Sequence, residues 1–297
     1  MKTILKDDFD LFQKYYNVDE FGEWEHGNNI LMRLTDDGDF ATKQNITTTE
    51  LQTKVSEWKK ILNPIREQRI KPHRDEKVLT SWNALTIKGL CDAFITFEND
   101  EYLHLAKNAT DFIIKNQWNG EVLFRNYKDN QTTIPGFLDD YALMIEALIK
   151  LYEVTSEMHY LETAQTLTEE VFNQFYNHKN KMFAYKSHYD TPLVNETFEI
   201  YDNVISSSNS VMANNLFKLG KILNQEKYIE QAKQMLANVE DKIHDYPTGF
   251  AKWVQLYLNF AYPFKEIVII GENALEFSKQ IQQCYVPNAI FVASKTE

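Results

Sequence analysis

The amino-acid sequence predicts an all-α protein, an α/α toroid assembled from helical hairpins. Three observations support this prediction: chain-breaking residues are few, a tyrosine motif recurs three times, and an apolar helix precedes each copy of the motif. The 297 residues include only 9 Gly and 7 Pro, and 43% of them are hydrophobic. Turn-rich all-β architectures require more chain-breaking residues than this, so helices are favoured.

Charge and hydropathy exclude several classes of partner. A formal net charge of -12 repels phosphate backbones and anionic lipids, so we expect neither nucleic acid nor membrane as a partner. No stretch approaches the roughly 20 apolar residues that span a bilayer, and the first residues lack the apolar segment of a signal peptide. These features predict a cytoplasmic protein. Cys91 and Cys284 are too far apart in sequence to indicate a disulfide framework or a zinc site, and no cofactor is predicted.

The first predicted helix begins at a capping sequence. Thr47 is followed three residues later by Glu50, the spacing of a capping box, in which each side chain accepts a hydrogen bond from the other residue's backbone. We expect the helix to continue through Trp58 and Ile61 towards Pro64.

A short motif then recurs, in which a tyrosine opens a helix and an alanine follows four residues later. Its copies are Tyr102-Leu103-His104-Leu105-Ala106, Tyr160-Leu161-Glu162-Thr163-Ala164 and Tyr228-Ile229-Glu230-Gln231-Ala232. The helix before each copy is apolar on several faces, which is typical of a helix sandwiched between others. We therefore predict inner helices near residues 80–97, 137–154 and 207–223, each followed by an antiparallel outer helix with one apolar face.

The remaining segments complete the prediction. Residues 122–127 and 182–185 have strand or turn character. A fourth, weaker pair of helices is predicted at residues 249–260 and 274–284, separated by a strand at 267–270. Since about six hairpins close a ring, we expect residues 1–297 to form one partial toroid that is incomplete or associates with another chain. An open α-solenoid is the alternative, although the spacing of about 58 to 68 residues exceeds the 33 to 47 of such repeats.

Polar residues cluster where the inner helices begin, and in a toroid these helix starts meet at one end of the central cavity. Asp139 and Asp140 are adjacent, so repulsion between them can raise one pKa into the range of a general acid. Asp75 lies in a charged loop just before the first inner helix. We therefore predict Asp75, Asp139 and Asp140 as acid and base groups. The predicted substrate-binding residues are His73, Arg74, Trp82, Asn83, Tyr141, Asp202 and Asn209. No metal ligands are predicted.

Each of these assignments has a structural alternative. Ser, Thr, Asp and Asn are the preferred helix caps, so Asp139 or Ser207 could simply satisfy unpaired N–H groups. Runs of mixed charge such as residues 69–77 usually form a solvated loop. In a sugar site, the same carboxylates would transfer protons, and aromatic rings such as Trp82 and Tyr141 would lie under the faces of the sugar.

A resemblance to a known family rests on two runs, RIKPHRDEKVLTSWN at residues 69–83 and GFLDDYA at residues 136–142. They are similar to the thioredoxin domain-containing family of spermatogenesis-associated protein 20 and its bacterial relatives. Further matches are GEWE at residues 22–25, NIL at 29–31 and KEIVIIG at 265–271. The family usually has Pro-Ser-Gly-Asn-Ser where this chain has SSSNS at residues 206–210. The difference alters the turn but retains Asn209 and Ser210.

The resemblance implies an amino-terminal thioredoxin-like domain followed by an (α/α)6 barrel similar to six-hairpin glycosidases and N-acylglucosamine 2-epimerases. We expect this chain to begin inside that barrel, with the thioredoxin-like domain of the full-length protein as a partner. One functional hypothesis is a carbohydrate-active domain, glycosidase-like or epimerase-like, that binds a small sugar. The other is a non-catalytic helical scaffold that binds a partner or positions the thioredoxin-like domain. With half of the ring missing, catalysis by the isolated chain is not expected.

Overall fold

The computed structural model describes residues 1–190 and 195–296 of the chain. The chain divides into two units, Met1–Asp75 and Glu76–Glu297. All three predicted hairpins lie in the second unit, and the first unit has a hydrophobic core of its own. That residues 1–297 act as one toroid domain stays a prediction.

The first unit contains four helices around a small aromatic core. They are α1 (Lys2–Leu5), α2 (Phe9–Tyr15), α3 (Asp37–Lys43) and α4 (Thr48–Glu67). The predicted capping box is present at α4, since the Glu50 backbone N–H donates to the Thr47 hydroxyl and the Thr47 N–H donates to the Glu50 carboxylate. The helix continues past Pro64, because a proline so near the end of a helix removes only one hydrogen bond. Trp58 is 1% exposed and packs edge-on against Phe12.

Three helical hairpins form most of the second unit, as predicted. Each inner helix is followed by an antiparallel outer helix: α5 (Thr80–Phe97) by α6 (Asp100–Gln117), α7 (Leu138–Thr155) by α8 (Met158–Phe175), and α9 (Ser208–Ile222) by α10 (Glu226–Ala237). The alanine of the tyrosine motif is fully buried in every copy, which allows the outer helix to approach its neighbours closely. These alanines are Ala106, Ala164 and Ala232.

The inner helices pack side by side in chain order, α5 on α7 and α7 on α9, and the outer helices cover them. The next inner position is taken by α12 (Ala251–Ala261), which packs on α9 and follows the short helix α11 (Glu240–Asp245). The all-α fold of helical hairpins in an α/α toroid arrangement is therefore confirmed. Every helix within residues 1–190 and 195–296 is too short or too polar to cross a lipid bilayer.

Short two-stranded pairs connect the hairpins, and one strand of each pair lies where the sequence predicts strand or turn character. β1 (Val78–Leu79) pairs antiparallel with β2 (Asn126–Tyr127), and β3 (Tyr176–Asn177) with β4 (Met182–Phe183). The pairing of β1 with β2 ties the segment before α5 to the loop before α7, so it helps to fix where both inner helices begin.

The carboxyl-terminal segment differs from the predicted fourth hairpin. Its strands β5 (Lys265–Ile270) and β6 (Ala289–Ser294) are parallel, and α13 (Ala274–Gln283) connects them. The strand near residues 267–270 is confirmed, but the prediction that α13 is the outer partner of α12 is wrong. Parallel strands need a crossover connection, and α13 provides it while packing on β5, β6, α5 and α7.

Candidate functional site

The carboxylate of Asp140 connects the starts of two inner helices. It is fully buried. One oxygen accepts the backbone N–H of Ser81 at the start of α5 (3.1 Å), and the other accepts the N–H of Phe137 just before α7 (3.1 Å). Arg125 donates to the second oxygen at 2.8 Å. These contacts are those of a cap shared between two hairpins, as in the structural alternative.

The neighbouring carboxylate, that of Asp139, has Arg125 as its one hydrogen-bonding partner within the described residues. Nη1 of this arginine lies 3.1 and 3.2 Å from the two oxygens of Asp139, and the guanidinium packs over the Phe137 ring at 5.0 Å. Burial raises the pKa of Asp140 from its ordinary value of 3.8 to about 6, the charge of Asp139 adds to the increase, and Arg125 opposes it. Burial is thus a larger cause than the like charge from which the sequence predicts a raised pKa.

Asp202 likewise connects the starts of the next two inner helices, α9 and α12. One of its oxygens accepts the Ser207 N–H (2.8 Å) and the Ser210 hydroxyl (2.9 Å) at the start of α9. The other accepts the Lys252 N–H (2.8 Å) at the start of α12. Asp140 and Asp202 therefore each hold together the starts of two successive inner helices.

The remaining predicted binding residues of the second unit differ in exposure. Tyr141 is fully buried, and its hydroxyl accepts the Leu123 N–H at 2.8 Å, so its ring is part of the core. Asn209 is equally buried, and its side chain both accepts from and donates to the backbone of Phe183. These two side chains have no exposed surface for a ligand.

Two residues at the start of α5 are more accessible. Asn83 is half-buried and donates to the Leu79 carbonyl at 2.8 Å, which closes the first turn of the helix. Trp82 is 64% exposed. Of the two aromatic residues predicted to contact a sugar, only Trp82 has an accessible ring.

The charged loop belongs to the first unit as far as Asp75. His73, Arg74 and Asp75 are all exposed there. The structure thus brings Asp139 and Asp140 together around Arg125 and places Asp202 between α9 and α12, whereas Asp75 is in the other unit. Acid and base catalysis by Asp75, Asp139 and Asp140 stays a prediction.

A cavity of about 400 Å³ lies further along the inner helices. We call it the central cavity, because α5, α7, α9 and α12 all line it, and residues of α13, β6 and their connection close one side. Its charged lining residues are of both signs: Lys88, Asp92, Glu146, Lys150, Glu153, Lys218 and Lys252. Paired groups of opposite charge are the form in which ionised side chains tolerate burial.

Glu146, in the central cavity, forms ion pairs with two lysines. Its Oε1 lies 2.7 Å from Lys252 Nζ and 3.2 Å from Lys88 Nζ. Burial alone acts to raise the pKa of Glu146, but the charges of Lys252 and Lys88, the hydrogen bond from Lys252 and the charge of Lys218 together lower it to about 2. This side chain is therefore ionised at neutral pH.

The other charges of the cavity form simple pairs. Lys150 lies 3.0 Å from Asp92, and Lys218 lies 3.3 Å from Glu153. Two amides add further hydrogen-bonding capacity, since Gln255 and Asn259 also line the cavity and their side chains make no hydrogen bond to the part of the chain that the structure describes. An amide offers both donors and acceptors, so both side chains are available to a polar ligand.

Sequence reasoning missed this cavity, although a signal for it was present. Every residue of α7 is buried except Glu146 and Lys150. Charged residues four positions apart in an otherwise apolar helix lie on the same face, and Lys88 and Asp92 repeat the spacing on α5. The predicted site residues lie at the helix starts, where polar side chains act as caps, and not on this face. No group of three or more potential metal ligands occurs among residues 1–190 and 195–296.

Comparisons with known proteins agree with the resemblance. No family model matches the sequence. An uncharacterised protein of Caenorhabditis elegans is 30% identical over 285 residues, which is 90% of this chain and 39% of that protein. Human spermatogenesis-associated protein 20 is 24% identical over 311 residues, covering 95% of this chain and 39% of the human protein. The chain is homologous to spermatogenesis-associated protein 20, and it spans about two fifths of the length of these relatives.

Solved structures with a similar fold include carbohydrate-active enzymes. A GH76 alpha-mannanase of Bacteroides thetaiotaomicron has a TM-score of 0.49 and 23% identity, over 58% of this chain and 47% of the enzyme. A cellobiose 2-epimerase of Bacillus thermoamylovorans has a TM-score of 0.45 and 14% identity, over 56% of this chain and 45% of the enzyme.

Proposed function

We propose that this chain is the sugar-binding helical part of a longer carbohydrate-active protein and that the sugar binds in the central cavity. The observation that supports the proposal is the cavity itself, an opening of about 400 Å³ lined by charged and amide side chains within an otherwise apolar inner layer. Its volume lies in the range of small-molecule sites, about 300 to 1,000 Å³. A sugar presents hydroxyl groups in several directions, which such a lining can satisfy.

The chemistry of the lining favours binding over packing. Gln255 is exposed and Asn259 is half-buried, and both line the cavity without a side-chain hydrogen bond to the described residues. A ligand hydroxyl can therefore replace water as their hydrogen-bond partner, since each amide offers both donors and acceptors. In the cytoplasmic full-length protein we expect a thioredoxin-like domain in addition to this helical part. Acid and base catalysis by Asp75, Asp139 and Asp140 is a separate proposal, because these three residues do not line the central cavity.

The alternative, a non-catalytic scaffold, is favoured by one observation. Asp140, Asp202 and Asn209 all direct their polar atoms to the backbone of neighbouring segments. If the chain is only a scaffold, the central cavity should bind no sugar. A measurement of sugar binding therefore distinguishes the two functions.

That measurement is isothermal titration calorimetry of the chain with glucose, mannose, glucuronate and glucose 6-phosphate. We expect at least one sugar to bind, and Asn259→Ala to weaken that sugar at least about tenfold, which corresponds to 1.4 kcal/mol. The thermal midpoint should not change, because Asn259 makes no hydrogen bond to the described residues that the variant would remove.

The matched control is Asn108→Ala, which removes an exposed amide from the outer helix α6. It should leave sugar affinity unchanged. If none of the sugars binds, or if Asn259→Ala behaves as Asn108→Ala does, the proposed function is wrong and the scaffold remains.

A further inference from the structure

The central cavity is richer in positive charge than the chain around it. The chain carries a formal net charge of -12. Among the described residues that line the cavity, in contrast, four are lysines and three are carboxylates. The lysines come from four different helices, with Lys88 on α5, Lys150 on α7, Lys218 on α9 and Lys252 on α12. Such convergence cannot be recognised from any single segment of the sequence.

The pairing of these groups leaves one positive charge in excess. Asp92 and Glu153 each pair with one lysine, Lys150 and Lys218 respectively. Glu146, however, is shared by two lysines, and both approach the same oxygen. One carboxylate cannot neutralise two ammonium groups, so the pair Lys88 and Lys252 retains a net attraction for a second anion.

The position of Lys252 makes this attraction strong. Its side chain is only 14% exposed. Burial lowers the pKa of Lys252, the charge of Glu146 opposes this effect, and Lys88 adds to it. A buried ammonium group is more stable with an additional anionic partner, because low solvent access weakens the screening of the pair.

We infer that the central cavity selects a sugar that carries an acidic group, a carboxylate or a phosphate, and that Lys88 and Lys252 bind this group. The inference rests on the proposed function, since it names the class of sugar for the same cavity. The acidic group accepts hydrogen bonds from both ammonium groups and supplies the missing negative charge. The hydroxyls of the sugar ring are left to the amides of Gln255 and Asn259.

Calorimetric titration with three matched ligands tests the inference: glucose, glucuronate and glucose 6-phosphate. At low ionic strength we expect one or both acidic sugars to bind at least about tenfold more tightly than glucose. A preference for glucuronate would identify the acidic group as a carboxylate, and a preference for glucose 6-phosphate would identify it as a phosphate. Lys88→Met should reduce this preference to within about threefold of glucose.

Lys88→Met is the variant of choice because Glu146 keeps Lys252 as a partner, so no buried carboxylate is left unpaired. The matched control is Lys233→Met, which removes an exposed lysine from the outer helix α10. It should leave the preference intact. Should Lys88→Met fail to fold, the unmodified chain measured in 20 and 300 mM NaCl gives the same answer, because only the affinity for an acidic sugar should fall with salt.

The outcomes separate the inference from the proposed function. If glucose binds as tightly as both acidic sugars, or if salt affects all three equally, the inference is overturned and the proposed function stands. If the preference survives Lys88→Met, the acidic group binds elsewhere and the inference is likewise overturned. If no sugar binds at all, the proposed function fails and the inference fails with it.

Discussion

Two carboxylates of α7, only six residues apart, use different kinds of hydrogen-bond donor. Asp140, at the start of the helix, accepts from the backbone N–H groups of Ser81 and Phe137. Glu146, in the central cavity, accepts from the side chains of Lys88 and Lys252. A backbone donor moves only if the helix moves, whereas a lysine can rotate towards another anion. The type of donor therefore distinguishes the carboxylate at the helix starts from the carboxylate in the central cavity.

The largest expected effect concerns the helix starts. Asp140→Ala leaves the buried N–H group of Ser81 and the half-buried N–H group of Phe137 without an acceptor, and each such loss costs about 1–3 kcal/mol. We expect the free energy of unfolding, measured by urea denaturation, to fall by about 4 kcal/mol. The affinity for any bound sugar, measured on the fraction that remains folded, should be unchanged.

The adjacent Asp139→Ala is the matched control for this variant. Its only described partner is Arg125, which keeps Asp140, so we expect a cost of about 1 kcal/mol or less. Equal losses for the two variants would show that backbone donors are not what distinguishes the helix starts from the cavity.

The central cavity should respond to acid. Because the folded-state pKa of Glu146 is lowered from 4.5 to about 2, its contribution to stability is complete above pH 4.5 and disappears as the pH falls towards 2. A shift of this size corresponds to about 3 kcal/mol. Glu146→Gln should therefore lower the free energy of unfolding at pH 7 by about 3 kcal/mol and change it much less at pH 3.

The control for Glu146 is Glu162→Gln, which alters an exposed side chain on the outer helix α8 and should leave the pH dependence as it is. For Asp140 the dependence of stability on pH runs in the opposite direction. Its folded-state pKa is raised from 3.8 to about 6, so the part of its stabilisation that depends on protonation is complete below pH 3.8 and is lost as the pH rises to 6. If Glu146→Gln does not alter the loss of stability at acid pH, the ion pairing described for the cavity is contradicted.

A smaller effect is expected at the second shared cap. Asp202 accepts three hydrogen bonds, but it is only half-buried, so water replaces part of what Asp202→Ala removes. We expect the free energy of unfolding to fall by about 2 kcal/mol. Asp245→Ala on α11, where the aspartate is exposed, should cost nothing measurable. A loss at Asp202 no greater than that of Asp245 would mean that the contact between α9 and α12 does not depend on the shared cap.

The smallest effect calibrates the others, because it removes a cap that serves one helix alone. Thr47→Ala deletes the exposed capping box of α4 and should cost about 1 kcal/mol. Glu50→Gln, which keeps a side chain able to complete the box, should cost less. If Thr47→Ala destabilises the chain as much as Asp140→Ala does, sharing a cap between two hairpins brings no additional stability.

The hairpins could be predicted from sequence because their signals are local. The bounds of α5, α7 and α9 agree with the predicted inner helices to within a residue, since the apolar periodicity and the tyrosine motif are contained in each segment. The capping box of α4 is equally local. The role of α13 was not predictable in this way, because a short amphipathic helix has the same pattern whether it covers another helix or crosses between two parallel strands.

The candidate site could be predicted only in part for the same reason. Asp139 and Asp140 were recognised as a pair at a helix start, but Arg125, which both contact, comes from the preceding loop and has no fixed spacing to them. The contact of Glu146 with Lys252 joins positions 106 residues apart. Pairings of this kind arise from the packing of α7 against its neighbours, and no periodicity within a segment indicates them.

The shared caps have a consequence for the dynamics of the chain. In repeat architectures each unit can open on its own when the coupling between neighbours is weak. Here the N–H groups of Ser81 and Phe137 donate to the same carboxylate, that of Asp140. Fraying of α5 therefore removes one hydrogen bond from Asp140 and opens the start of α7 to water. Opening of one hairpin therefore weakens the next, and the amides of both helix starts should exchange with deuterium in a single cooperative event.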